Sequence, residues 1–254
     1  MESTRFAVDS LVLLSAPPPP GRVLTWVERC RSADGGYAGC VAAPARMDAT
    51  YYALRVHRLL GGEPPAPDAC RHWVGAQGSA GGFSSGPGTV PDVDNTYYAL
   101  RALELCGGVP KEAAAHLAFL DSCAAAQGGF GNRPGEPPDL DRTYCAIHSL
   151  LMLGRPASGL ARPAPHAAWV TSRRAASGGY ANRPGQGPSL PATYWAVHAL
   201  CLLNETPSGQ CELGFISESR CPAGGFGCAP GSPAEAWPTY CALQAGALIR
   251  GRSV

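Results

Sequence analysis

A double glycine followed by an aromatic residue occurs five times in this chain, and each time a Thr-Tyr pair stands fourteen positions after the second glycine. The turns are Gly35-Gly36-Tyr37, Gly81-Gly82-Phe83, Gly128-Gly129-Phe130, Gly178-Gly179-Tyr180 and Gly224-Gly225-Phe226. The pairs are Thr50-Tyr51, Thr96-Tyr97, Thr143-Tyr144, Thr193-Tyr194 and Thr239-Tyr240. A motif that recurs every 46 to 50 residues marks a repeat array, in which no unit buries its apolar face alone. The chain must fold by packing copies of one supersecondary unit side by side.

Each unit reads as two helices. First helices fall roughly at residues 23–31, 69–76, 112–126, 165–174 and 212–219, where apolar residues recur at helical spacing, as in Leu24, Val27 and Cys30. Second helices start at the threonines, at 50–60, 96–105, 143–153, 193–203 and 239–249, each with an alanine three residues on. The glycines suit the turn between the two because positive φ costs glycine little, and the aromatic after them is expected to plug between units. Residues 4–16 read as a second-type helix ended by Pro17 to Pro20. Two concentric rings, second helices inside and first helices outside, bury both apolar faces. The expectation is an all-α single domain over 1–254, an α/α toroid close to an α6/α6 barrel. It has a half repeat at 4–16, which can close the ring against the last unit, and repeats at about 22–62, 68–108, 110–154, 164–205 and 211–250.

The bulk numbers narrow the function. Net charge is +1 with no basic run, which argues against a nucleic-acid partner. No apolar stretch is long enough for a membrane span, and residues 6–16 are too short and carry Asp9, against a signal peptide. Eleven cysteines without a CxxC pair argue against a zinc ribbon or disulfide framework and for reduced, mostly buried thiols in a cytoplasmic protein.

Repeats show their function where they differ. Four and two positions before the threonine stand Arg46 and Asp48, Asp92 and Asp94, Asp139 and Asp141, Ser189 and Pro191, Glu235 and Trp237. Only the second and third units carry a full Asp-x-Asp, and in a ring these units are neighbours.

At this point the residues resemble a known superfamily. GGFGNRPGEPPDLDRTYCAI and GGYANRPGQGPSLPATYWAV resemble the repeats of protein prenyltransferase β subunits, and DVDNTYYAL resembles the DxDDTA motif of class II terpene cyclases such as squalene-hopene cyclase. The resemblance covers residues 4 to 250. It implies the toroid, and a funnel with an apolar cavity for a small isoprenoid substrate.

The four aspartates then admit three readings. Crowded carboxylates repel, so one or two hold a proton near neutral pH, as a general acid needs; the resemblance gives Asp94 the place of the acid, with Asp92, Asp139 and Asp141 nearby. Paired carboxylates also suit Mg²⁺ gripping a diphosphate. Equally, each suits a helix N-cap. The fourth motif position is Asn95, and class II cyclases normally hold their substrate between two such domains where this chain has one.

For a prenyltransferase β subunit, which works with an α-subunit partner, the resemblance implies a zinc site. Asp141 matches the Asp ligand, but Thr143 replaces the Cys and Trp237 stands where a His is expected, so zinc is not expected; Cys145 and Cys241 lie two positions further on and are expected to project elsewhere. Arg133 matches the diphosphate-binding arginine and Arg183 repeats it. Five positions after each threonine stand Arg55, Arg101, His148, His198 and Gln244. They are candidates to bind an anion, or to act as the base that ends a cation cascade, or to form a polar seam between helices. Tyr97, Tyr144, Tyr194, Trp195 and Tyr240 are candidate cation–π contacts, although a tyrosine repeated in every unit also reads as a structural plug, and the non-repeated Trp195 and Trp237 are the better candidates for substrate contact. His72 and His116 read as surface or packing residues. The favoured function is an acid-initiated isoprenoid cyclase. The alternatives are a prenyltransferase β-like subunit, and a non-terpenoid cyclase or apolar-ligand-binding toroid.

Overall fold

The computed structural model describes residues 1–79, 81–159, 163–207 and 209–251. Second-type helices are α1 (Glu2–Leu13), α3 (Met47–Leu59), α5 (Val93–Leu105), α7 (Leu140–Met152), α9 (Leu190–Leu202) and α11 (Ala236–Ile249). First-type helices are α2 (Pro20–Arg29), α4 (Pro67–Ala76), α6 (Ala113–Ser122), α8 (Pro163–Thr171) and α10 (Gln210–Glu218). The two types alternate as the repeat pattern predicts.

The second helices of the five repeats begin three residues earlier than predicted, at Met47, Val93, Leu140, Leu190 and Ala236. The side chain four positions before the threonine explains three of these starts. Asp92, Asp139 and Ser189 are N-caps whose oxygens accept the backbone N–H of Asn95, Arg142 and Ala192 at 2.8, 3.0 and 3.2 Å.

The threonine, one turn inside, has a different task. Its Oγ1 accepts the backbone N–H of the aromatic thirteen residues earlier. The bonds are Tyr37 to Thr50 (2.9 Å), Phe83 to Thr96 (3.0 Å), Phe130 to Thr143 (2.9 Å), Tyr180 to Thr193 (3.0 Å) and Phe226 to Thr239 (3.0 Å). Thr50, Thr96 and Thr193 also donate to the carbonyl four residues back. The constant spacing is thus a clamp between turn and helix.

The first helices shift by up to four residues from the expected bounds, and two of the shifts have a local cause. α6 ends at Ser122 rather than 126, because Ala124 pairs with Phe130 in a β-bridge and Gly128 N–H donates to the Ala125 carbonyl, so the turn outweighs alanine's helix propensity. α8 starts at Pro163, where the missing N–H costs nothing in a first turn. The N-terminal helix spans Glu2–Leu13, and Ser15 leaves it at φ +57°.

Contacts gather into two compact units, Met1–Asp121 and Ser122–Val254. In the first, α1 packs on α3 and α3 on α5, with α2 against α3 and α4 against α5. Tyr37, Met47, Leu54, Trp73 and Phe83 form its buried core. In the second, α7 packs on α9 and α9 on α11, with α8 against α9 and α10 against α11.

The first four glycine turns dock on the next first-type helix. A Cβ on Gly128, which sits at φ +99°, would run into the Pro165 carbonyl, and the neighbouring Gly129 lies against the Trp169 ring. Of the eleven cysteines, Cys30, Cys70, Cys106, Cys123, Cys145 and Cys241 are buried.

Candidate functional site

In the first unit the two motif aspartates separate by role. Asp92 is buried and caps α5; Asn95 Nδ2 donates to both of its carboxylate oxygens at 2.9 Å. Asp94 is half-buried at the second helical position and is not the cap. Tyr97 and Tyr98 follow it at three and four residues, so they share its helix face.

These two rings join Tyr51 and Tyr52 of α3 in a four-tyrosine cluster. Tyr51 stacks on Tyr98 at 5.7 Å and meets Tyr97 edge-on at 6.2 Å; Tyr52 and Tyr98 share a hydrogen bond of 3.0 Å between hydroxyls. Burial pushes the Tyr52 phenol well up, so it remains a neutral donor. Sequence reasoning singled out Tyr97 but missed Tyr51, Tyr52 and Tyr98. The signal was the doubled tyrosine in TYYALR, present in the first two repeats alone. It also missed Arg5 and Asp9 of α1, a buried ion pair at 2.7 Å that Arg55 joins at 3.1 Å from α3.

In the second unit Asp139 caps α7 and is 1% exposed. Arg183, on the Gly/Pro loop of the next repeat, donates to Asp139 Oδ2 through Nη2 at 2.8 Å and Nε at 3.2 Å. Asn182, beside it, accepts the Leu140 and Asp141 N–H groups at 2.9 and 3.3 Å. The Asn-Arg of this loop thus fastens the start of α7. Arg133, its counterpart one repeat earlier, is exposed and lies 3.8 Å from Glu136.

Asp141 is half-buried and accepts from Arg142 Nη1 at 3.0 Å. Cys145 projects away from the Thr143 hydroxyl, as expected, and onto the Asp141 face. Its Sγ lies 3.8 Å from Asp141 Oδ1, because residues four apart share a helix face. A continuous aromatic wall follows. Tyr144 meets Tyr194, His148 and His198; Tyr194 meets Trp237 and Tyr240; and Trp195 faces Trp237 at 6.1 Å. His148 Nδ1 stands 3.4 Å from the Tyr144 hydroxyl, and His198 packs on Tyr194 at 4.3 Å. Of the remaining histidines, His72 is exposed and His116 is buried, stacked on Phe83 at 4.8 Å.

The zinc set that the prenyltransferase resemblance implies does not fit at its register. The Thr143 hydroxyl is engaged with the Phe130 N–H, and Trp237 offers no ligand atom. Cavities within single units lie elsewhere. One of about 620 Å³ is lined by Arg71, Leu103, Lys111 and His116, and one of about 550 Å³ by Gln127, Pro138, Trp169 and Arg173; neither is lined by the candidate catalytic or substrate-binding residues.

The family described as prenyltransferase alpha-alpha toroid domain matches residues 1–154 and again 109–253. Among solved structures, Candida albicans protein geranylgeranyltransferase-I complexed with GGPP is similar, with 15% identity and a TM-score of 0.84 over 96% of this chain and 82% of that one. The type II terpene cyclase MstE from Scytonema is 13% identical, with a TM-score of 0.68 over 98% of this chain and 87% of that one. The ent-copalyl diphosphate synthase from Streptomyces platensis is 20% identical, with a TM-score of 0.61 over 98% of this chain and only 50% of that one. A cyclase chain is therefore not always twice this length. A search of curated proteins gives no match. At these identities the likeness carries fold and not reaction. With the family matched along nearly its whole length, the chain belongs to the prenyltransferase alpha-alpha toroid domain family and has that family's α/α toroid fold.

Proposed function

We propose that this protein is an isoprenoid-processing cyclase in which Asp94 protonates a polyene. The observation that carries the reading is the division of labour in DVDN. Asp92 is held as the cap by Asn95, whereas Asp94 stands one turn before Tyr97 and Tyr98 on the same face. Proton transfer to an alkene needs a carboxylic acid whose conjugate base is stabilised. The N-terminus of α5 supplies that stabilisation through its backbone dipoles. The cation left on the substrate needs a water-poor, electron-rich wall, and the tyrosine cluster is of that kind.

The likeness to the type II terpene cyclase MstE supports the cyclase reading. That protein has been solved with geranylgeranyl dihydroxybenzoate as substrate, which makes non-diphosphate polyenes worth including as probes. Incubation with Mg²⁺ and geranyl, farnesyl or geranylgeranyl diphosphate, or with geranylgeranyl dihydroxybenzoate, followed by mass spectrometry, tests the reading. The expected result is a cyclised product that keeps its head group and disappears in Asp94→Asn. Turnover that survives Asp94→Asn, or none with any probe, overturns it.

A second reading is a prenyltransferase β-like subunit, favoured by the TM-score of 0.84 to the geranylgeranyltransferase chain and by the Asp141–Cys145 pair, whose residue types bind zinc. Stoichiometric zinc in the purified protein, lost in Cys145→Ala, would move the weight to it.

A further inference from the structure

Four of the five glycine turns are filled by a helix, and the fifth is open. In each filled turn the first glycine, Gly35, Gly81, Gly128 or Gly178, lies against a backbone carbonyl of the next first-type helix, that of Ala69, Ala115, Pro165 or Cys211. The second glycine lies against an aromatic ring four residues further along that helix: Trp73 on Gly36, Phe119 on Gly82, Trp169 on Gly129 and Phe215 on Gly179. Residues four apart share a helix face, so a single stripe of the helix fills the turn. In three turns the residue after the carbonyl engages the turn aromatic. On the two phenylalanines it is histidine: His116 stacks on Phe83 and His166 on Phe130, at 4.8 and 4.7 Å and an interplanar angle of 20° in both. On Tyr180 it is Glu212, which accepts from the phenol at 3.1 Å.

The fifth turn is built like the others. Gly224 and Gly225 have φ of +100° and +72°, beside +99° and +78° at Gly128 and Gly129. Phe226 bridges to Arg220 and donates its N–H to Thr239, as Phe130 bridges to Ala124 and donates to Thr143. What is missing is the helix. No described atom lies within 4 Å of a Cβ on Gly224, and one on Gly225 meets only Ala234 and Thr239 of its own repeat, with no aromatic ring. Burial follows. Tyr37, Phe83, Phe130 and Tyr180 are at most 3% exposed and Thr50, Thr96, Thr143 and Thr193 are 0% exposed, whereas Phe226 and Thr239 are both partly exposed. The turn-on-helix interface made four times within the chain thus continues to a fifth place that is formed and unfilled. A preformed apolar cradle binds a helix with little ordering cost of its own.

We infer that the Gly224-Gly225-Phe226 turn docks a helix of a partner protein that carries a small residue, then a histidine, then a tryptophan or phenylalanine three residues after the histidine. The small residue and the aromatic are what the two glycines accept, and the histidine is what both docked phenylalanines stack on. In this chain that signature occurs at Ala115-His116 with Phe119 and at Pro165-His166 with Trp169, and both helices already fill turns of their own. A folded second copy therefore has none to offer, which points to a different protein. The inference makes no use of the cyclase reading.

The test is a fluorescence-anisotropy titration of the full chain with a labelled peptide of residues 163–174, PAPHAAWVTSRR, stapled on its outer face because so short a helix is marginal in water. The expected result is saturable binding that weakens about tenfold or more when the peptide carries Trp169→Ala or His166→Ala, and likewise when the protein carries Phe226→Ala. Phe226→Ala keeps the backbone N–H bonded to Thr239, and a thermal melt verifies its folding; the two peptide changes leave the protein untouched and decide the matter without it. Absence of saturable binding overturns the inference. So does binding that survives Phe226→Ala, which would mean that the peptide displaces α8 from its own turn or docks elsewhere. Sedimentation of the chain alone is the remaining check. A concentration-dependent dimer abolished by Phe226→Ala would give the cradle to a second copy and overturn the assignment to a partner.

Discussion

Asn95 Nδ2 donates to both carboxylate oxygens of Asp92 at 2.9 Å, and the Asn95 backbone N–H donates to Oδ1 at 2.8 Å. The residue that departs from the cyclase motif is therefore the one that holds the helix cap. In the next repeat Arg142 and Arg183 perform this service for Asp139. Two sequence solutions serve one need, a buried carboxylate supplied with donors.

Asp94 and Asp92 are expected to respond differently to mutation. Asp94→Asn should leave the urea midpoint unchanged and reduce product formation by about 10²-fold or more, the usual contribution of a general acid. Asp92→Ala should cost about 1–2 kcal/mol of unfolding free energy, as loss of a cap does. Equal destabilisation by the two changes would contradict the division of roles.

Restoring the motif by Asn95→Asp should not help. The new carboxylate would replace a donor by an acceptor beside Asp92, losing the side-chain hydrogen bonds and adding like-charge repulsion. The expected loss is about 1–3 kcal/mol in a denaturant melt at pH 7. A variant as stable as the wild type would show that the Asn95–Asp92 bonds carry little weight.

The turn clamp can be tested at Thr143. Thr143→Val is close to isosteric but leaves the buried Phe130 N–H without its acceptor, at an expected cost of about 1–3 kcal/mol. Thr143→Ser keeps the hydroxyl and should recover most of that in the same melt. If serine and valine destabilise alike, the methyl packing and not the hydrogen bond matters.

Gly128 and Gly224 separate backbone strain from steric clash. They share a φ near +100°, but a Cβ on Gly128 meets the Pro165 carbonyl whereas nothing lies within 4 Å of one on Gly224. Gly224→Ala should cost about 1–2 kcal/mol for the left-handed backbone alone, and Gly128→Ala more than about 4 kcal/mol. Comparable melting temperatures would mean that the next first-type helix shifts to accept the methyl.

His166 predicts a pH dependence of stability. It is buried, stacks on Phe130 at 4.7 Å, and its Nδ1 accepts the Gly129 N–H at 3.1 Å, which requires an unprotonated Nδ1. Burial lowers its pKa from 6.5. The unfolded chain therefore takes up the proton first, and stability should fall as pH drops through 6.5 toward the lower folded value. Urea melts between pH 7 and 5 should show this slope, and His166→Gln should flatten it. An unchanged slope would assign the effect to other groups.

The repeat array, the alternation of two helix types and the five turns were legible in the sequence because each rests on local chemistry at fixed spacing. Glycine permits the positive φ at the turn, proline opens or stops helices, and apolar residues recur with the helical period. The meaning of the fourteen-residue spacing was not legible, because Thr143 meets Phe130 only once turn and helix have folded back on each other. The same limit applied to the aspartates. Sequence marked Asp92, Asp94, Asp139 and Asp141 as one set. Tertiary packing divided them, since Arg183 reaches the buried Asp139 cap from 44 residues away, whereas Asp94 is half-buried at the second position of its helix. Cys145 was set aside because it misses the threonine register, yet the helical period puts it beside Asp141. The Arg5–Asp9–Arg55 cluster was half legible, since Arg55 stood out in its register while Arg5 and Asp9 did not. Arg5 and Asp9 come from α1 and Arg55 from α3, and only the packing of those two helices brings both arginines onto one buried carboxylate.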